Sequence, residues 1–432
     1  MKQPRRLVAG VTMLAIAGAV AVVGIRLQQG AAAPGGSAAA IKATTPAGQL
    51  TPGQTARRKQ EINQLLSARA AAVRKGDLKA FLARVNTKDA KLAARQRTLF
   101  ANLRQFGFAK LEYSLANEHQ VPRMVAKYGP TAFSSRVLMR YQLSGLDARP
   151  VQTDVAYTFV RRETGWVLVE DGAIDEVLSP DGHRQPWDFR PITVVRRGKV
   201  AVVVAQSEAA LGRKIAVTAQ QAVSGVRRHW PQPWNGSVMV VAVPDPQVLS
   251  MLWTSGSGRG WTVAAKDVPV YEGDPAGRRT GPAAGSRIVV NPELRTKLDM
   301  DLLAHEMTHA ATVLLGSRAP MWMVEGYAEY VRCAVIEDDP GWTVDPYRKT
   351  VRKTLPTMKA LPGPAEFAAA GDRSYGQSWW VVEYLIDRLG KKKVAALYAD
   401  LAGRETGTDV IVKKHTGMTP AQLLAAVRKF RG

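Results

Sequence analysis

The chain has 432 residues, which is long for one domain and suits two or three. Its 60 Lys and Arg residues against 36 Asp and Glu give a formal net charge of +24. The basic residues are dispersed, however, and no zinc finger or RNA-binding signature accompanies them, so we do not expect nucleic acid as a partner. The single cysteine, Cys333, excludes an intramolecular disulfide framework and a cysteine-rich metal site. A metal in this protein must therefore be bound by histidine and carboxylate.

The first predicted element is an export segment. Lys2, Arg5 and Arg6 form a basic start, and an uncharged, mostly apolar run follows from residue 7 to residue 25. The run is almost long enough to span a bilayer, so residues 1–27 are predicted to be either a signal peptide or a retained membrane anchor. Both alternatives place the remaining chain outside the cytoplasm, either secreted or anchored in a bacterial envelope. Residues 28–54, rich in Ala, Gly, Pro and Thr, are predicted to form a flexible linker.

Residues 55–180 are predicted to form an α+β domain. Apolar residues recur at helical spacing up to residue 106, with a restart at Gly76-Asp77, and the period then shifts to two in the segments 108–118, 134–144, 151–162 and 166–169. This order of three helices and an antiparallel meander resembles the cone fold of the nuclear-transport-factor-2-like superfamily. The resemblance implies a pocket inside the cone. No convergent set of acidic or His residues occurs here, so ligand binding and a spacer or protein-contact role both stay open.

A second domain is predicted after a proline-containing loop at residues 180–191. Strands are predicted at 192–195, 200–205, 238–244, 261–265, 268–271 and 287–291, with a helix at 209–228 between the second and third of them. Residues 187–300 thus form a small sheet lobe, and residues 301–432 are mostly helical. An edge strand beside a metal helix can pair with an extended peptide, which predicts a peptide or protein substrate.

The segment 301–316 carries the clearest chemical pattern of the chain. His305 and His309 are four residues apart, so on a helix their rings share one face and can bind one ion. Glu306 points about 100° round the helix from His305. This is the H-E-x-x-H arrangement, in which two imidazoles hold zinc and the carboxylate activates water. Asp301, one turn before His305, either accepts a hydrogen bond from a ligand histidine or favours the helix start.

The third ligand is expected on a second helix that begins after Pro320. Catalytic zinc takes three protein ligands and leaves a fourth position for water. Glu325 and Glu329 are four residues apart on this helix, so both can approach an ion held by His305 and His309.

Together the two helices resemble the gluzincin metallopeptidases, the group of thermolysin and the aminopeptidase N enzymes. The matching residues are the H-E-x-x-H motif and the segment Trp322-x-x-Glu325-Gly326-Tyr-Ala-Glu329-Tyr. The resemblance implies a small sheet lobe and an α-helical lobe, with zinc bound by His305, His309 and Glu325. It also implies that Glu306 is the general base and that Glu329 hydrogen-bonds a ligand histidine.

A weaker part of the resemblance concerns Tyr375. The segment 374–380 is similar to the gluzincin segment in which a tyrosine donates a hydrogen bond to the oxyanion. The alternative is a tyrosine that only packs at the start of a long helix.

The sequence therefore predicts an exported zinc-dependent metallopeptidase in which Glu306 assists the attack of zinc-bound water on a peptide bond. The alternative is a catalytically inactive, zinc-containing binding or scaffold protein of the envelope. No G-A-M-E-N stretch of the aminopeptidase kind is present, so the choice between endopeptidase and exopeptidase stays open, as does the oligomeric state.

Overall fold

A computed structural model of the chain describes residues 50–175, 177–178, 184–246, 265–272, 282–403 and 406–432. The predicted export segment and most of the predicted linker lie outside these residues. Among the helices that are described, none is both long and apolar enough to cross a membrane. The fold is mixed α+β, as predicted.

The N-terminal unit, residues 52–170, contains four helices and one sheet. Its sheet is antiparallel, with the strands in sequence order, and α1 begins at Pro52, inside the segment predicted as linker. The predicted strands are confirmed to within two residues at each end, whereas α4 was not predicted. The elements are α1 (Pro52–Lys75), α2 (Leu78–Leu82), α3 (Ala90–Leu103), β1 (Phe108–His119), α4 (Pro122–Tyr128), β2 (Phe133–Leu143), β3 (Val151–Arg162) and β4 (Gly165–Glu170).

The C-terminal unit, residues 192–429, begins with a five-stranded mixed sheet. Its elements are β5 (Ile192–Arg197), β6 (Val200–Ala205), α5 (Ala209–His229), β7 (Val238–Val241), β8 (Ala265–Tyr271) and β9 (Ala283–Val290). The strand order is β5-β6-β7-β9-β8, with β6, β7 and β9 parallel to one another. Strand β8 runs without a break from Ala265, so the predicted interruption between 265 and 268 is wrong. Residues 261–264, also predicted as strand, lie outside the described part.

Seven helices follow the sheet in the described part of the chain. They are α6 (Met300–Thr312), α7 (Met321–Glu337), α8 (Asp345–Thr354), α9 (Pro364–Leu389), α10 (Lys391–Gly403), α11 (Thr408–Thr416) and α12 (Pro420–Lys429). Helix α6 ends at Thr312, earlier than the predicted 316, and a short 3₁₀ turn leads to Gly316. There φ is 125°, and a Cβ would lie 2.4 Å from the carbonyl oxygen of Ala402, so only glycine fits this turn.

The five-stranded sheet is buried on both faces. Side chains that alternate along its strands belong to two different cores, as the two-residue period of a strand requires. Val202, Val240 and Ile288 pack with helices of the C-terminal unit. Val203 and Val289 pack with the N-terminal unit. The N-terminal unit therefore covers one face of the sheet that supports α6 on the other face.

The end of α3 and the turn that follows it also cover one edge of this sheet. The side-chain amide of Gln105 donates to Ile192 O at 2.7 Å and accepts from Val194 N at 2.9 Å. Asn102 accepts from Ile192 N at 3.1 Å. These amides satisfy backbone groups of β5 that a further strand would otherwise bind. Among the described strands, β8 forms the opposite edge.

A buried ion pair joins the two units, and its removal is expected to destabilise both. Arg287 Nη1 of β9 lies 2.8 Å from Asp147 Oδ1, with side-chain exposures of 2% and 0%. Arg287→Met would leave Asp147 as an uncompensated buried charge, which we expect to lower the unfolding free energy by about 3–5 kcal/mol in urea denaturation. Combining it with Asp147→Asn should recover part of this loss. The exposed pair Lys414–Asp400 is the control, and Lys414→Met should cost at most about 1 kcal/mol.

Candidate metal centre

Helix α6 places the two motif histidines side by side. Leu303, Ala304 and Met307 bury the opposite side of the helix in the core beneath the sheet. His305 Nε2 and His309 Nε2 consequently point to the same place and lie 3.2 Å apart. Both atoms are those that a helical H-E-x-x-H pair presents to a single ion.

Helix α7 brings Glu325 to the same place. Its Oε2 lies 3.5 Å from His305 Nε2 and 3.4 Å from His309 Nε2. The next residue, Gly326, permits a close approach of α7 to α9, because a Cβ here would lie 2.4 Å from the carbonyl oxygen of Ser378. Any larger residue would push α7 outward and move Glu325 away from the histidines.

These three atoms form a nearly equilateral triangle whose size suits zinc. Two ligand atoms about 2.0–2.1 Å from a tetrahedral zinc ion lie about 3.3–3.4 Å apart. The triangle measures 3.2, 3.4 and 3.5 Å on its sides. Glu325 Oε2 is also a buried oxygen without a well-formed hydrogen bond. Two imidazoles and a carboxylate are a ligand set of catalytic zinc, so the residues present fit this metal.

Glu306 is held next to the triangle by the edge strand of the sheet. The backbone N–H of Asp267, in β8, donates a hydrogen bond to Glu306 Oε2 at 2.8 Å. Burial raises the pKa of Glu306 above its ordinary value, and the neighbouring His305 and His309 only partly oppose this. A carboxyl group with a raised pKa and a fixed orientation is suited to accept and release a proton.

The sequence did not single out Asp267 itself. Its side chain lies on the same face of β8 as Ala265, which packs with the helices of the C-terminal unit. Burial raises the pKa of Asp267 to about 7, although a hydrogen bond from Ser286 lowers it. If the sequence had predicted one unbroken strand from residue 265, the side chain of Asp267 would have been placed on the sheet face that packs on the helices. The predicted strand started at Val268 instead.

The two remaining predicted site residues also lie near His305. Glu329 Oε1 is 3.2 Å from His305 Nδ1, the ring nitrogen that faces away from the triangle. The ring centroid of Tyr375 is 6.1 Å from that of His305, and Tyr375 packs edge-on against Phe367 at 5.0 Å. Helix α9 is broken at Ala370, where φ is −157° and ψ is 64°, so Tyr375 lies five residues after this break, near the start of the longer helical part. The structure thus brings all six predicted site residues together, and their roles remain predictions.

We predict that zinc binding releases a proton and strengthens as the pH rises. Burial lowers the pKa of His305, but contacts with Glu325 and Glu329 outweigh it and raise the pKa to about 10. Without metal, His305 is therefore protonated at neutral pH, and zinc must displace this proton because it binds the neutral ring. The dissociation constant should fall about tenfold per pH unit between pH 6.5 and 8.5 for each proton released. Calorimetry in two buffers of different ionisation enthalpy measures the proton release, and a pH-independent dissociation constant would contradict the prediction.

Comparison with known protein families gives no match for this chain, and a search of curated proteins gives none either.

Proposed function

We propose that this protein is an exported zinc metallopeptidase that hydrolyses peptide bonds. The observation that carries the proposal is the triangle of His305, His309 and Glu325, with Glu306 fixed beside it by strand β8. Zinc-holding residues alone would serve a structural site equally well. A buried carboxylate that follows the first ligand and takes no part in the triangle is what a hydrolytic site requires in addition.

In the proposed reaction, each residue of the site has a separate role. When bound, zinc supplies a Lewis acid that polarises the scissile carbonyl and lowers the pKa of the attacking water. Glu306 takes the proton of that water and later passes it to the leaving amine. The hydroxyl group of Tyr375 donates a hydrogen bond to the carbonyl oxygen as negative charge develops there. Burial raises the pKa of Tyr375 well above its usual value, so the hydroxyl keeps its proton at neutral pH.

The proposed substrate is an extended peptide segment, and the proposed fold is that of a gluzincin with an additional domain. Strand β8 is an edge among the described strands and carries the N–H group that holds Glu306, so a peptide paired with this edge would pass the site. The three N-terminal helices and the four-stranded meander support the nuclear-transport-factor-2-like assignment of the N-terminal unit. Export rests on the basic and apolar residues 2–26 of the sequence.

The proposal is tested by incubating the full-length protein with a peptide library and identifying products by mass spectrometry. We expect cleavage that a chelator abolishes and zinc restores. Cleavage inside the peptides identifies an endopeptidase, whereas loss of single terminal residues identifies an exopeptidase. Stoichiometric zinc without cleavage of any peptide would support the inactive scaffold alternative and overturn the proposal.

Tyr375→Phe is expected to lower kcat by about 10²–10³-fold, with KM and zinc content little changed, because an oxyanion donor acts mainly in the transition state. Tyr384→Phe is the matched control, since it removes a hydroxyl from the same helix at a place where it contacts Met418 and Arg388. Equal kcat values for the two variants would show that Tyr375 only packs against its neighbours.

A further inference from the structure

Four charged or ionisable side chains form a network of contacts behind the metal triangle. His305 Nδ1 contacts Glu329 Oε1 at 3.2 Å, and Arg332 Nη1 lies 3.4 Å from the same oxygen. Arg332 Nε donates a hydrogen bond to Asp301 Oδ2 at 2.9 Å. Asp301 lies one turn before His305 on α6, and Arg332 lies one turn after Glu329 on α7. The network therefore starts and ends on α6, the helix that carries the two histidines.

The network constrains the ring of His305 from the side that faces away from the triangle. Glu329 Oε1 lies 3.2 Å from Nδ1 but outside hydrogen-bond geometry, so its charge attracts Nδ1 and leaves Nε2 facing the triangle. A shift of Glu329 would therefore let the imidazole rotate. Glu329 is 2% exposed and has few ways to remain both buried and ionised without a cation. Arg332 supplies this cation, since its Nη1 donates to Glu329 Oε1 at 3.4 Å.

Arginine is the residue type that can link the two carboxylates of this network. Its planar guanidinium has donors pointing in several fixed directions, so one side chain can bind carboxylates on two different helices. The ammonium of lysine is a compact charge and would favour one of the two partners. Asp301, which is 22% exposed in its side chain, anchors the guanidinium on α6 and stops it from turning toward solvent.

We propose that Arg332 and Asp301 are positioning residues that hold Glu329 against His305 Nδ1 and thereby fix the metal-binding orientation of the ring. The proposal rests on the proposed zinc site, but it assigns a role to two residues outside the H-E-x-x-H motif and the triangle. Neither residue touches the reacting atoms, so their effect should appear in metal binding.

The test is the zinc dissociation constant of the full-length protein, measured by competition with a chromophoric chelator. Partners behind a metal ligand typically contribute about 10–100-fold to affinity. We expect Asp301→Ala to weaken zinc binding about tenfold and Arg332→Met to approach 100-fold, with Arg332→Lys between them. In the cobalt-substituted protein, the visible absorption bands of Asp301→Ala should shift, because the orientation of a ligand has changed.

Glu337→Ala is the matched control. Like Asp301→Ala, it removes a carboxylate that pairs with an arginine, since Glu337, at the far end of α7, pairs with Arg348 of α8. We expect it to leave the zinc dissociation constant and the cobalt spectrum unchanged. If Arg332→Met does not fold, Asp301→Ala and Arg332→Lys still decide the question. Zinc affinities of these two variants equal to that of Glu337→Ala would overturn the proposal.

The outcomes separate this inference from the proposed function. A wild-type protein that binds no zinc at the triangle contradicts the proposed function itself. A wild-type protein that binds zinc and cleaves peptides, with Asp301→Ala indistinguishable from it in metal affinity and spectrum, contradicts only the positioning role.

Discussion

Glu306→Gln is expected to abolish peptide hydrolysis while the protein still binds one zinc ion. Glutamine has nearly the same shape and keeps an oxygen that can accept the hydrogen bond from Asp267 N, but it cannot take a proton from water. Loss of a general base typically reduces the rate by about 10²–10⁴-fold. The measurements are kcat/KM on a cleaved peptide and the zinc content of the purified variant.

The control for Glu306→Gln is Glu383→Gln. Glu383 is another carboxyl group of the helical lobe with a pKa raised by burial, but its nearest cation is Arg348, away from the triangle. We expect its kcat/KM to match that of the wild type. If the Glu306 variant cleaved peptides as fast as the Glu383 variant, Glu306 would not be the base and the mechanism would be abandoned.

His309→Ala is expected to remove zinc and, with it, all hydrolysis. The substitution deletes one corner of the triangle, leaving only His305 and Glu325 within reach of the ion. Loss of a direct ligand should weaken zinc binding by more than the roughly 10–100-fold that an outer partner contributes. Glu325→Gln should act in the same direction, because it replaces the anionic ligand by a neutral amide. Zinc affinity by chelator competition and activity at saturating zinc are the readouts.

A histidine outside the centre provides the comparison for this variant. His415 pairs with Asp400 at 2.7 Å on a different part of the helical lobe, so His415→Ala should keep full zinc affinity. Tight, stoichiometric zinc binding by His309→Ala would show that the metal is held elsewhere.

Local periodicity predicted most helices and strands, because the apolar pattern of each element lies within a few neighbouring residues. The valine-rich strand β6 and the amphipathic helix α5 fall almost where their patterns place them. The bounds of helix α8 were not predicted within the helical lobe, because only Val351 of its ten residues is buried, which leaves little apolar periodicity to detect. Strand partners were not predictable either, since the sequence does not specify which strands pair, and β9 separates β7 from β8.

The same distinction applies to the candidate centre. The pair His305 and His309 follows from helical spacing alone. For the third ligand, spacing left both Glu325 and Glu329 open, and a family resemblance selected Glu325. Asp267 lies 39 residues before Glu306, and its contact depends on how the sheet packs on α6. Contacts of this kind arise from tertiary packing, and no local sequence pattern predicts them.

The most direct test of the zinc peptidase is a zinc titration of the metal-free, full-length protein while peptide cleavage is followed. Activity should rise linearly and reach a plateau at one zinc ion per chain in the wild type. It should stay at background in Glu306→Gln, although that variant takes up the same amount of zinc. Cleavage that is already complete without metal, or that appears equally in Glu306→Gln, would contradict the account.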